Sequence, residues 1–276
     1  MELTFQTIRY YFGLIGYFFG NKVFHELPCP KNCRVAYYYP DQCVGYCFEA
    51  YTFSIENFGY ILGAILLSAA IAYLLGSLNF AVIISKVFHR DDVRNHGSKG
   101  AGATNMLRTY GKAAAALTFA GDLLKSMLAV SIGMILVGEI GAYLAMLFCV
   151  LGHAYPLYYK FKGGKGVATA ASAILLLDPL VFAVLILVFV AIVALSKYIS
   201  AGSIVVAGLY PLLFYTLYPL TRPIHLLESN FLGIPMRTLL FAIVFIVGIK
   251  VIYLHRANIT RLFEGTENKL SFKKKV

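Results

Sequence analysis

Phe161-Lys-Gly-Gly-Lys-Gly-Val-Ala168 decides how this chain is read. Lys160, Lys162 and Lys165 and three glycines, Gly163, Gly164 and Gly166, stand directly before an apolar run. Glycine lets backbone N–H groups come close to an anion, and a helix N-terminus carries partial positive charge. Lysine ammonium groups add full charges. The stretch reads as a phosphate cradle at a membrane surface.

The composition around it supports a membrane protein. Of 276 residues, 59% are hydrophobic and 13% are charged, and the mean hydropathy is +0.74. Long apolar runs recur from Phe58 to Leu254, which implies an all-α, polytopic integral membrane protein. The formal charge of +11 raises the question of nucleic acid. That partner is rejected, because the basic residues lie in short loops beside apolar spans, as the positive-inside rule expects. No cleavable signal peptide is read: Glu2 lies among the first residues and no small-residue cleavage site follows the apolar part.

The first 55 residues read as an N-terminal extension, and 56–276 as the membrane domain. Leu3 to Phe24 is aromatic-rich and is read as an interfacial helix, with an extra span as the alternative. Cys29, Cys33, Cys43 and Cys47 follow in the pattern C-x3-C-x9-C-x3-C. Spacing of four puts each pair on one face of a helical turn. Two disulfides or a zinc ion would satisfy them.

The span count is fixed by parity. The first span runs from about Phe58 to Val87, with a kink near Gly76. Ala113 to Val137 and Ile140 to Tyr159 are split near Gly138-Glu139. Val167 to Leu177 is broken from Leu180 to Leu195 by Asp178-Pro179. A polar turn at Lys197 to Ser203 precedes Ile204 to Leu220, and Leu239 to Leu254 comes last. Loops 86–112 and 160–166 and the tail carry most of the positive charge and should share the cytoplasmic side. Only about seven short helices meet that condition.

Four polar clusters then fall on one face. The first spans Arg94 to Arg108. Its glycines, Ser98, Thr104 and Asn105 suit a loop that wraps an anion, and Arg108 offers a bidentate fork. The second is Gly152-His-Ala-Tyr-Pro156 running into the lysine-glycine loop. His153 reads equally as a site residue or as a satisfied core histidine. Asp122 and Lys125, inside an apolar stretch, read as a functional pair or a structural one. The third is Lys197 to Ser203, with Ser200, Gly202 and Ser203. In the fourth, His255, Asn258 and Arg261 share a helical face at spacing of three. So much positive charge suits two phosphates, or one phosphate and one developing anion. No carboxylate pair has metal-ligand spacing, and neither a Ser-His-Asp order nor a G-x-S-x-G elbow occurs. Neither a metal nor a cofactor is expected.

Several strings occur together in one order: GSKGAGATNMLRTYGK (97–112), GHAYPLYYKFKGGKGVAT (152–169), KYISAGSI (197–204) and HRANITRLFEGTE (255–267). In these the chain resembles the bacterial membrane glycerol-3-phosphate acyltransferases that use acyl-phosphate as donor. The resemblance covers about Gly76 to Glu267. It implies a seven-helix protein of the cell membrane with its active site facing the cytoplasm. It implies acyl transfer to the 1-hydroxyl of glycerol 3-phosphate, giving lysophosphatidate and phosphate. By the same resemblance Ser98 and Thr104 belong to the acyl-phosphate side. Arg108, Lys165, His255 and Asn258 would hold glycerol phosphate, with Asn105, Gly163, Gly164, Gly166, Ser200 and Arg261 lining the site. The chain departs from the family pattern in two places. Ser-Gly-Asn-Ile-Gly-Ala-Thr-Asn becomes Ser98-Lys99-Gly100-Ala101-Gly102-Ala103-Thr104-Asn105, and Gly-Ser-x-Pro becomes Gly76-Ser77-Leu78-Asn79. A transporter of a phosphorylated solute and a non-catalytic lipid-binding relative are the alternative functions.

Overall fold

The computed structural model describes residues 37–39, 42–44, 58–222, 230–231 and 233–270. The chain divides into two compact units between Gly63 and Ala64. In the first, β1 (Tyr37–Tyr39) pairs antiparallel with β2 (Gln42–Val44). Cys43 therefore lies in a strand, not on the helical turn expected from its spacing. Cys29, Cys33, Cys47 and the Leu3–Phe24 segment lie outside the described residues. Among the described residues no group of His, Cys, Asp or Glu could hold a metal ion.

The helices are α1 (Phe58–Ser77), α2 (Phe80–His89), α3 (Ala103–Tyr110), α4 (Lys112–Ala154), α5 (Val167–Leu177), α6 (Pro179–Ser196), α7 (Ile199–Thr221), α8 (Met236–Leu254) and α9 (Arg256–Phe263). A two-residue pair, β3 (Asn230–Phe231) with β4 (Ile234–Pro235), precedes α8. The all-α expectation holds for the body of the chain.

The helix α4 is two helices. Gly138 takes φ 70°, a left-handed conformation that breaks the helix. Lys125 and His153, 28 residues apart, touch at 2.9 Å. A straight helix would separate them by about 42 Å. The limbs 112–137 and 139–154 therefore fold back on each other. A side chain at Gly133 would strike the carbonyl of Gly141, and one at Gly141 that of Gly133. Small residues at such crossings bring helix backbones together in membranes. The expected break at Asp178-Pro179 also holds, since α5 ends at Leu177 and α6 begins at Pro179. Counting α1 with α2, the two limbs of α4, and α5 to α8, seven helical segments run through the bundle among the described residues. The α5 helix has 11 residues, about 16 Å, and falls short of a bilayer's hydrocarbon core.

The first span breaks later than expected. Gly76 is a packing position, where a Cβ would strike the backbone of Cys149. The chain turns at Leu78-Asn79, and Asn79 Oδ1 accepts the Val82 N–H at 3.2 Å to cap α2. Asn79 stands where the resembled family has proline. A capping side chain and a proline are alternative ways to start a helix. The polar turn after α6 is also shorter than expected: Lys197 takes φ 64° and α7 starts at Ile199, so Ser200 and Ser203 lie on its first turns.

The core joins the second limb of α4 (Tyr143, Met146, Val150), α5 (Ala173, Ile174), α6 (Val181), α7 (Tyr210, Phe214, Tyr218) and α8 (Leu240, Val244, Val247). Large apolar side chains point outward, among them Leu66, Leu187, Leu195 and Ile246. Lipid is the solvent that suits such a surface.

The two ends of the bundle differ. At one, Arg222 meets Glu139 at 2.6 Å and Asp178 at 3.1 Å. Tyr143 and Tyr210 donate to Asp178 at 2.8 and 3.1 Å, and Tyr218 donates to Glu139 at 3.2 Å. This network locks three helix junctions together. Replacing Arg222 with methionine would leave buried Asp178 and half-buried Glu139 without their cation, at a cost of about 3–5 kcal/mol. The expected outcome is a clear fall in the melting temperature of the detergent-solubilised protein, whereas an unchanged melt would show that the network contributes nothing.

Candidate functional site

The other end gathers all four polar clusters. The loop before α3 is organised by Asn105, which is buried. The carbonyls of Val93, His96 and Gly100, at 3.0 Å each, share the two N–H donors of its Nδ2, and its Oδ1 accepts the Ser98 N–H at 3.0 Å. Both polar atoms of the Asn105 side chain are committed to the loop, so it shapes the loop from within. Ser98 is exposed on that loop, and Thr104 lies on the first turn of α3. Arg108, one turn on, reaches the Asn268 carbonyl at 3.5 Å.

In the lysine-glycine loop, the N–H groups of Gly163 and Gly164 donate to the carbonyls of Ala154 and His153, at 3.1 Å each. They are not free for an anion, contrary to the cradle expected from sequence. A side chain at Gly163 would strike the His153 carbonyl, and one at Gly164 the His153 ring and the Ala101 carbonyl. Glycine is required here so that the loop can press onto the end of α4. Gly166, at φ 74°, turns the chain into α5. The first-turn N–H groups of α5, which have no partner within the helix, open beside Lys165.

The tail supplies a residue that the sequence reading did not single out. Glu267 accepts from Ser200 at 3.0 Å, Asn258 at 2.8 Å and Arg261 at 2.7 Å. Leu270 N–H donates to the Lys197 carbonyl at 2.7 Å, which binds the tail to the start of α7. Burial alone would raise Glu267, but bonds from Arg261, Asn258 and Ser200 hold it below the usual glutamate value. Burial pushes Lys165 down to about 8; Arg261 and Arg108 add to the drop and Glu267 opposes it. Burial also lowers Arg108, with Arg261 adding to the effect against Glu267. Arg108, Lys165 and Arg261 thus feel one another and share one carboxylate. In the string HRANITRLFEGTE it is a carboxylate six residues beyond Arg261, with nothing local to mark its donors.

His255 is buried, and its Nδ1–H donates to the Val251 carbonyl at 2.8 Å. Burial, reinforced by Lys165, pushes it down to about 4, so it is neutral at pH 7. Its Nε2 lone pair is left as an acceptor.

Behind the loop lies the pair flagged by its charge in an apolar stretch. Lys125 Nζ donates to the carbonyls of Gly76 (3.1 Å) and Leu78 (2.8 Å), lies 2.9 Å from His153 Nδ1 and pairs with Asp122 at 2.8 Å. All three side chains are buried. They tie the α1–α2 junction to both limbs of α4. His153 is therefore an interior support whose ring backs Gly164.

Comparison with known proteins gives the family. The glycerol-3-phosphate acyltransferase family matches residues 66–265. A glycerol-3-phosphate acyltransferase of Thermoanaerobacter pseudethanolicus is 39% identical over 210 residues, covering 76% of this chain and 98% of that one. One from Syntrophomonas wolfei is 40% identical over 203 residues, covering 74% and 95%. Crystal structures of PlsY (YgiH), an integral membrane glycerol 3-phosphate acyltransferase, superpose well. Its glycerol 3-phosphate form gives a TM-score of 0.64 at 34% identity over 76% of this chain and 96% of that one. Its lysophosphatidic acid form gives 0.62 at 32% identity over 76% and 97%. The chain belongs to the glycerol-3-phosphate acyltransferase family. It is a multi-pass membrane acyltransferase of phospholipid synthesis.

One departure from the family pattern has a structural cost. Lys99, exposed, takes φ 57°, where the resembled family has glycine. The left-handed conformation costs a non-glycine residue about 1–2 kcal/mol. Glycine loses more entropy on folding, about 0.5–1 kcal/mol. Lys99→Gly is expected to raise stability by the difference, roughly 0.5–1 kcal/mol, measured by thermal melting; a lower melting temperature would contradict the strain.

Proposed function

We propose that this chain transfers an acyl group from acyl-phosphate to the 1-hydroxyl of glycerol 3-phosphate at the cytoplasmic face of the membrane. The observation that carries the reading is three cations around one carboxylate. Arg108, Lys165 and Arg261 give three positive charges; Glu267 takes one, and two remain. A phosphate monoester carries about −1.5 to −2 at pH 7. The surplus fits one such group, so glycerol phosphate occupies this cluster. The donor phosphate then falls to Ser98, Thr104 and the first-turn N–H groups of α5. The crystallised relatives bound to glycerol 3-phosphate and to lysophosphatidic acid support the acceptor and the product.

The chemistry follows from what the site offers. The hydroxyl oxygen attacks the acyl carbonyl, the ester C–O bond forms and the C–O bond to phosphate breaks. A mixed anhydride has a good leaving group and needs little activation. Placing the two reactants side by side supplies on the order of 7–11 kcal/mol in favourable cases. His255 Nε2 accepts the hydroxyl hydrogen bond and aims the oxygen. At a pKa of about 4 it is too weak a base to keep the proton, so the departing phosphate takes it. Ser98, Thr104 and the first-turn N–H groups of α5 stabilise the charge that develops on the departing phosphate. The orientation rests on charge: Lys86, Arg90, Lys112, Lys160, Lys162 and Lys197 belong to the site end.

Two measurements test this. With purified protein, acyl-phosphate and glycerol 3-phosphate, Arg108→Ala should reduce kcat/KM for glycerol phosphate by two orders of magnitude or more, about 2.7 kcal/mol. Wild-type kinetics in that variant would remove Arg108 from the site. The pH profile tests Lys165. Its ammonium is present below about 8 and is lost above it, so kcat/KM should fall as pH rises through 8. Lys165→Arg, which stays charged, should remove that fall. A flat wild-type profile to pH 9.5 would show that the charge is not used.

A further inference from the structure

We infer that Arg94 is the positioning residue of the lysine-glycine loop, a clasp that holds a left-handed turn and so sets where Lys165 stands. Lys160 and Phe161 both take positive φ, 55° and 57°. Side-chain-bearing residues disfavour that region, and two in succession are rarer still. Such a turn persists only where its surroundings hold it. The turn's own backbone supplies part of the hold: Phe161 N–H donates to Pro156 at 3.0 Å and Lys162 N–H to Tyr159 at 3.2 Å. Lys160 and Phe161 are exposed, so their side chains add little packing.

Arg94 supplies what is missing. Its Nη1 donates to the carbonyls of Tyr159 and Lys162, at 3.0 Å each, one on either side of the turn. Its guanidinium carbon lies 5.8 Å from the Tyr159 ring centre. The other edge of the fork is fixed by Asp92, at 2.9 Å from Nε and 2.6 Å from Nη2. Asp92 also accepts the Arg94 N–H at 3.0 Å. A guanidinium gripped on one edge presents its remaining donors rigidly, which an ammonium does not do. Four residues beyond the turn, Lys165 enters the cation cluster. Arg94 thus links the loop that carries Ser98 to the loop that carries Lys165, without touching either residue.

The role in catalysis rests on the acyltransferase reading above, and the clasp itself does not. Arg94→Ala, Arg94→Lys and Asp92→Asn are compared with the wild type, each with and without the pair Lys160→Gly and Phe161→Gly. Glycine adopts the left-handed turn freely, so the pair should make the clasp dispensable. The readouts are KM and kcat for glycerol 3-phosphate, thermal melting, and amide hydrogen exchange across 159–166. Arg94→Ala and Arg94→Lys should both raise KM about tenfold or more, as expected when a binding group is misplaced, and should speed exchange across 159–166. Asp92→Asn should do the same more weakly. The glycine pair should recover most of the loss in each variant, measured against the glycine pair alone. Failure of the glycine pair to rescue would overturn the clasp and point to direct substrate contact. An Arg94→Ala protein with wild-type KM and exchange would overturn it too. If no Arg94 variant folds, Asp92→Asn with and without the glycine pair decides by the same criteria. A wild type without turnover would sink the acyltransferase reading alone, because exchange would still decide the clasp.

Discussion

Cations crowded at the end of an apolar bundle repel one another, and the carboxylate of Glu267 is what lets three of them stand together. It accepts from Ser200, Asn258 and Arg261 while lying within the charge fields of Lys165 and Arg108. These residues come from four separate segments of the chain. The site is assembled by a shared counterion rather than by any one motif. Because Glu267 offsets only part of the charge, the cluster remains short of anions, which is the ground for proposing that a phosphate monoester sits there. The depressed lysine and the neutral histidine follow from the same crowding and from burial.

The bundle must deliver those segments to one end, and two buried polar networks do so. Lys125 grips the carbonyls of Gly76 and Leu78 where the first span breaks and contacts His153 at the end of α4. Arg222 pins Glu139 and Asp178 at the opposite end. In lipid, neither set of charges could stay unpaired, since water is not there to replace a lost partner. Each network therefore fixes helix junctions more firmly than apolar packing alone. Close glycine crossings at Gly133, Gly141 and Gly152 do the rest.

Much of this was legible in the sequence. Alternating apolar runs and basic loops gave the number of helical segments, and Gly138 and Asp178-Pro179 marked real reversals. Parity and positive charge put the four polar clusters together, as the structure finds them. What the sequence could not convey was where polar atoms point. Asn105 looks like a ligand for an anion, but it faces inward and spends every donor on its own loop. Gly163 and Gly164 look like a phosphate cradle, but their N–H groups close onto α4. Gly76 looks like a kink, but it is a contact, and the break falls at Asn79. Glycine and asparagine serve packing and capping as readily as binding, and only the partner, distant in sequence, tells which. Glu267 was overlooked for the same reason: a carboxylate near a basic helix is ordinary until its three donors are seen.

Convergence of separate segments on one oxyanion is the central claim, and a double-mutant cycle addresses it most directly. Arg108→Ala, Lys165→Met and the double variant are compared by kcat/KM for glycerol 3-phosphate. Groups that hold the same phosphate are coupled, so the double variant should lose far less than the product of the two single losses. Losses that simply multiply would mean that α3 and the lysine-glycine loop act on different ligands, and the single pocket would be wrong.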